Sequence, residues 1–156
     1  MGSDKIDIAL PSEADTVALA TRIAPLLQIG DTLLLEGSIG AGKTAFARAL
    51  IRARLGRLED VPSPTFTLVQ TYEDADGDIW HCDLYRLTHP DEALELGLDD
   101  AFENAICLIE WPDRLGQAAP KDAAILSFAA KPVGHHVTIS IPPAIGSRLA
   151  NALQNA

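Results

Sequence analysis

Thr32-Leu33-Leu34-Leu35-Glu36-Gly37-Ser38-Ile39-Gly40-Ala41-Gly42-Lys43-Thr44 is the stretch on which the fold turns. Its first part is a short, bounded apolar run, the pattern of a strand covered on both faces. Its second part, Gly37 to Thr44, matches GxxxxGK[ST] at every position. A polyphosphate has to be ringed by backbone N–H groups, so the chain must curl tightly and needs glycine where φ is positive or a side chain would clash. The helix predicted from Lys43 to about Leu55 would aim its unsatisfied N–H groups and positive dipole end at the anion. Lys43 then supplies a mobile cation for β- and γ-phosphates, and the Thr44 hydroxyl a ligand for Mg2+. Strand, glycine loop and helix in that order begin an α/β sheet.

Upstream, Ser12-Glu13-Ala14-Asp15 has the spacing of a helix start. Val17, Ala20, Ile23, Ala24 and Leu27 follow at helical intervals, predicting one buried stripe that ends before Gly30. Downstream, Pro62-Ser63-Pro64 stops any helix. Thr65 to Tyr72 and Ile79 to Leu84, joined through Ala75-Asp76-Gly77-Asp78, predict a hairpin. Pro90 to Leu94 opens a short helix ended by Gly97, and Ile106 to Ile109 is another buried strand. Strands around 124–128 and 137–141 and a helix from about Ser147 complete the chain. With no repeat, linker or low-complexity tract, residues 1–156 are expected to form a single α/β P-loop NTPase domain, with a mixed, largely parallel central sheet flanked by helices.

Composition narrows the function. A hydrophobic fraction of 47% over 156 residues is enough to fill one core. No apolar run reaches the length of a membrane span, and the N-terminus has no signal-peptide pattern. Cys82 and Cys107 form no CxxC and lie in apolar runs, where cysteine acts as a small hydrophobe. A cytoplasmic protein without membrane attachment is expected. Twelve basic against 22 acidic side chains give a net charge of −10. With the cations scattered along the chain, direct binding of a nucleic-acid backbone is disfavoured, leaving contact through a partner.

P-loop enzymes hold magnesium partly through an acid at the end of a neighbouring strand. Glu110, which ends Ile106 to Ile109 and precedes Trp111-Pro112, and Asp83, in His81-Cys82-Asp83-Leu84-Tyr85-Arg86, both qualify. Thr65, after Pro64, is placed to sense a γ-phosphate as switch loops do. Arg86 is either an electrophile acting in cis or, the better expectation, the partner of Asp83. His135 and His136 are adjacent on a strand, so they face opposite ways and cannot share one ion.

Together these motifs resemble the TsaE family of small bacterial ATPases of tRNA threonylcarbamoyladenosine synthesis. The resemblance rests on Glu36 to Thr44, Ser63-Pro64-Thr65-Phe66-Thr67-Leu68-Val69, His81 to Leu87, Glu95-Leu96-Gly97 and Ile109-Glu110-Trp111-Pro112, over roughly residues 10 to 115. It implies an ATPase using ATP and Mg2+ with two partner proteins, TsaB and TsaD, which attach a threonylcarbamoyl group to the adenosine beside the anticodon of ANN-reading tRNAs. The tRNA is then met only indirectly, through the complex. Carried over, Lys43 and Thr44 hold phosphates and magnesium, Glu110 coordinates magnesium, Asp83 serves hydrolysis and Thr65 lies in the switch segment. Trp111 lies beside the nucleotide, and the adenine is approached near Glu13 and Gly134. Ser38-Ile39 departs from the family's common acid-Leu pair, a change the loop tolerates because it works through its backbone.

Two other classes compete. A free-standing small-molecule kinase would need an arginine-bearing lid, for which Arg52, Arg54 and Arg57 are candidates, although they are expected on or just beyond a helix. A nucleotide-gated binding module would bind without appreciable turnover. A GTPase is disfavoured because no NKxD follows the glycine loop.

Overall fold

In the computed structural model, residues 4–38, 42–57 and 60–154 are described. Seven strands form one sheet: β1 (Asp4–Leu10), β2 (Thr32–Glu36), β3 (Val69–Asp74), β4 (Gly77–Asp83), β5 (Ala105–Glu110), β6 (Ala124–Ala130) and β7 (His135–Ile141). Their spatial order is β1-β7-β6-β2-β5-β4-β3. The four central strands, β6-β2-β5-β4, are mutually parallel, and the flanking pairs are antiparallel. The sheet is therefore mixed and parallel at its centre, as the sequence pattern predicts.

Alternation along the strands divides the core between the two faces. Leu33 and Leu35 of β2 join Ile106, Leu108, Leu126 and Ile139 on one face. That face is covered by α1 (Glu13–Ile23), α2 (Lys43–Leu55) and α5 (Pro143–Gln154). Leu34 joins Cys82, Cys107 and Ile109 on the other, covered by α3 (Asp91–Glu95), α4 (Leu98–Asn104) and the 3-10 segment Pro112–Ala118. Burial pushes both thiols up, that of Cys107 to about 12, so both cysteines behave as inert apolar groups. Among the described residues, no helix is long and apolar enough to cross a membrane.

Several expectations are corrected. The buried stripe of α1 is Thr16, Leu19, Ala20 and Ile23. Val17 is 45% exposed, because the i, i+3, i+4, i+7 row from Thr16 points it outward. The start of α1 is as expected, with the Asp15 carboxylate accepting from the Ser12 N–H at 3.0 Å and its hydroxyl at 2.7 Å. β3 begins at Val69, not Thr65: Leu68 donates its N–H to Pro64 O at 2.7 Å and adopts a left-handed φ of 69°. That closed turn places Thr65 in a loop. β1 and α4 have no counterpart in the sequence reading, although Ile6, Ile8 and Leu10 alternate as a strand should. α5 starts at Pro143, a residue whose fixed φ suits the first helical turn, rather than at Ser147.

Candidate nucleotide and metal site

β2 ends at the middle of the sheet, and the chain leaves its C-terminal end through the glycine loop into α2. In open α/β sheets, ligands collect outside the carboxyl ends of the parallel strands. Gly42, at φ 106°, caps α2 in a left-handed conformation open to glycine at no steric cost. Gly37 and Ser38 flank the loop's entrance; Ile39, Gly40 and Ala41 lie outside the described residues.

Lys43 is 5% exposed. Its Nζ donates to Gly37 O and to Ser38 O at 3.2 Å, and sits 3.8 Å from the centroid of the Trp111 ring. Burial lowers its pKa from the usual lysine value, partly offset by Glu110, Asp83 and Asp113. The cation is thus held in a site that disfavours bare charge, and an arriving anion would relieve that penalty.

The next residue, Thr44, donates its hydroxyl to Glu110 Oε1 at 2.8 Å. Glu110 stands opposite Asp83 in the parallel β4–β5 register, so strand alternation brings both carboxylates to the face under α2. Asp83 Oδ2 accepts from Thr65 Oγ1 at 3.0 Å, and Oδ1 from the Tyr85 N–H at 3.0 Å. Thr65 is also 2.8 Å from Ser63 Oγ. The Ser63–Thr65 turn is therefore tied to the sheet through Asp83.

Trp111 follows β5 with a left-handed φ of 59°, which turns its ring back over Lys43; Tyr85 packs against it, ring centroids 4.8 Å apart. Across the cleft, the β6–β7 turn closes with Lys131 N–H donating to Gly134 O at 3.1 Å. A Cβ on Gly134 would lie 2.5 Å from Leu10 O and 2.6 Å from Pro11. That close approach seats the turn on the β1–α1 junction and brings Gly134 to the same cavity as Glu13. Gly134→Ala, at φ +72°, is expected to cost about 1–3 kcal/mol from backbone strain alone. Thermal unfolding should register it as a lowered Tm.

One cavity of 710 Å³ is lined by Glu13, Gly42, Lys43, Thr44, Thr65, Asp83, Glu110, Trp111 and Gly134 together. A larger groove of 1050 Å³ runs outside α1 and α2, where Arg48, Arg52, Arg54 and Arg57 share its walls. Volume does not decide between them; convergent polar groups do. Arg54, in the groove, is already committed to Asp74 at 2.8 Å and to Ala24 O and Leu27 O at 2.9 Å each. Arg52, Arg54 and Arg57 stand at the far end of α2 from Lys43, as expected of residues on or just beyond a helix.

Two further aromatic side chains enter the cleft unforeseen. His135 lines it, its ring 3.9 Å from where a Cβ on Gly42 would be; adjacency to His136 gave no signal of this. Tyr85 is the other. Arg86 does not pair with Asp83. Its guanidinium lies 5.3 Å from the Phe66 ring centroid, because β4 stops at Asp83 and the chain turns before Arg86.

The oxygen donors Thr44, Glu110 and Asp83 suit magnesium, a hard cation that keeps waters and takes one or two carboxylates. Among the described residues, no group of three or more His, Cys, Asp or Glu forms a protein cage for a metal.

A sequence model described as "Threonylcarbamoyl adenosine biosynthesis protein TsaE" matches residues 10–137. The chain belongs to the TsaE family. Named relatives, each a "tRNA threonylcarbamoyladenosine biosynthesis protein TsaE", include one from Haemophilus influenzae, 44% identical over 75% of this chain and 77% of its own. Another, from Rickettsia bellii, is 41% identical over 71% and 77%. The match spans only 59% of the Rickettsia conorii relative. The crystal structure of Bacillus subtilis YdiB superposes with a TM-score of 0.81 at 25% identity, covering 99% of this chain and 98% of that one. The TsaE match begins at Leu10 and ends at Val137, so it takes in all nine of the cavity residues above.

Proposed function

We propose that this TsaE-family chain binds ATP with Mg2+ in the cleft at the head of α2 and hydrolyses it, slowly alone and faster with TsaB and TsaD. In that setting it serves formation of the threonylcarbamoyl group on the adenosine next to the anticodon in tRNAs reading ANN codons. One observation carries the reading: the Thr44 hydroxyl, next to the phosphate-facing lysine, meets the Glu110 carboxylate at 2.8 Å. A hydroxyl at the first turn of the helix and an acid at a neighbouring strand end are the two protein oxygens that P-loop enzymes give to magnesium.

Each residue then has a distinct task. Lys43 exchanges its loop carbonyls for β- and γ-phosphate oxygens. Thr44 and Glu110 hold the metal, which when bound neutralises charge developing on the phosphates. Asp83 orients or activates the attacking water, and Thr65, bonded to Asp83, reports the γ-phosphate to the Ser63–Val69 loop. Trp111 and Tyr85 wall the cleft, with Glu13 and Gly134 at its adenine end. The kinase reading loses its lid, because Arg52, Arg54 and Arg57 stand away from the cleft.

Partner dependence is supported by charge. A chain of net charge −10 is poorly suited to hold tRNA itself, and a loop that responds to the γ-phosphate suits a signal read by a docked protein. The test mixes the purified chain with TsaB and TsaD of its own organism and measures ATP hydrolysis and threonylcarbamoyl transfer to tRNA. Both should rise in the mixture. No association in any nucleotide state, with unstimulated hydrolysis, would defeat the assignment and favour the kinase, which a screen of phosphate acceptors would then identify.

A further inference from the structure

β4 and β5 run in parallel register, with His81 opposite Leu108 and Asp83 opposite Glu110. Alternation therefore puts Ile79, His81 and Asp83 on the same face as Ile106, Leu108 and Glu110. Ile79, Ile106 and Leu108 are core residues on that face, and His81 interrupts their apolar surface while fully buried at 0% exposure. Its Nε2 lies 2.7 Å from Glu110 Oε2. The other carboxylate oxygen, Oε1, takes the Thr44 hydroxyl at 2.8 Å. Glu110 is thereby gripped at both oxygens, from within the sheet and from α2.

The second ring nitrogen is the informative one. His81 Nδ1 is buried with no hydrogen-bond partner among the described residues, and a buried polar atom without a partner is a burden to the fold. A leucine would fill the same place without that burden. Packing gives no reason for an imidazole here; the contact with Glu110 does.

We propose that His81 is a positioning residue for the metal: by donating from Nε2 to Oε2 it fixes the Glu110 carboxylate so that Oε1 is presented to Thr44 and to the magnesium of a bound nucleotide. The inference rests on the reading of Glu110 given above. A glutamate has three side-chain torsions, and a carboxylate that has to find its rotamer binds metal in proportion to the fraction of time spent in it. Groups that orient a metal's ligands commonly change affinity by about 10–100-fold when removed.

The test uses the full chain with a non-hydrolysed ATP analogue, adenylyl imidodiphosphate, and calorimetric binding at a series of magnesium concentrations. His81→Leu removes the unpaired Nδ1 but leaves Glu110 Oε2 without its buried partner, so a lowered unfolding temperature is expected of it. Where folded, it should bind the analogue normally without magnesium. It should nonetheless need about tenfold more magnesium to reach half of the metal-dependent gain in affinity. His81→Gln, which keeps an N–H within reach of the Nε2 position, should recover most of that difference, and the shorter His81→Asn should not. A leucine variant with the wild-type magnesium requirement would overturn the proposal and leave His81 as a core residue. If that variant does not fold, equal requirements in the Gln and Asn variants would overturn it as well. Wild-type affinity that is indifferent to magnesium would instead remove Glu110 from the metal site and this inference with it.

Discussion

Lys43→Ala is expected to lower ATP affinity or turnover by on the order of 10²–10³-fold, the scale on which a single preorganised charge-stabilising donor acts, without unfolding the protein. Among the described residues, the ammonium group donates to two carbonyls of its own loop and lies over the face of Trp111. No strand or helix depends on it. Its pKa is lowered chiefly by desolvation, partly offset by Glu110, Asp83 and Asp113. Calorimetric binding of ATP and a phosphate-release assay measure the loss, and thermal unfolding measures the fold. A variant with undiminished affinity and turnover would contradict the assignment of residues 37–44 as a phosphate loop.

Asp83→Asn should abolish turnover while sparing ATP binding, by about 10²–10⁴-fold if the carboxylate acts on the attacking water. The substitution is close to isosteric. An asparagine oxygen still accepts from the Tyr85 N–H, and its amide reaches Thr65, so the loop remains tied to β4. What disappears is the carboxylate itself. Glu110→Gln separates the two acids, although they stand side by side in the β4–β5 register. Loss of a metal-holding carboxylate should raise the magnesium concentration needed for half-maximal hydrolysis without abolishing it at saturating metal. Single-turnover hydrolysis at several magnesium concentrations distinguishes the effects. Matching titrations for wild type and Glu110→Gln would take Glu110 out of the site, and full turnover in Asp83→Asn would take Asp83 out of the chemistry.

Much of the cleft was legible in the residues alone, because its parts are local. Gly42, Lys43 and Thr44 are consecutive, and the demands of an anion at a helix start fix both their identity and their spacing. Glu110 could be nominated because it ends an apolar run, and Asp83 because it lies near the end of another. Local patterns failed where a rule of alternation or periodicity was overridden. The Thr65 segment alternates like a strand, yet Leu68 bonds back to Pro64, and the resulting turn frees Thr65 to meet Asp83. Val17 has the right spacing for the buried face of α1, but Thr16 begins the row that packs. Arg86 is three residues from Asp83 on paper and beyond the end of the strand in space.

By itself, then, the sequence determined the strand and helix on either side of the glycine stretch, and it nominated the lysine and the acids for the proposed phosphate site. It did so because glycine conformations, helix ends and strand periodicity are properties of neighbouring residues. Only the tertiary structure decided which distant groups share an atom-to-atom contact. Thr44 and Glu110 are 66 residues apart, His81 and Glu110 29, and Thr65 and Asp83 18. Those meetings depend on the order β6-β2-β5-β4, in which the strands are not sequential, and on a register that sets Asp83 level with Glu110. A shift of one residue would turn one of the acids to the opposite face of the sheet. Burial of both faces fixes that register, and burial is a property of the assembled sheet.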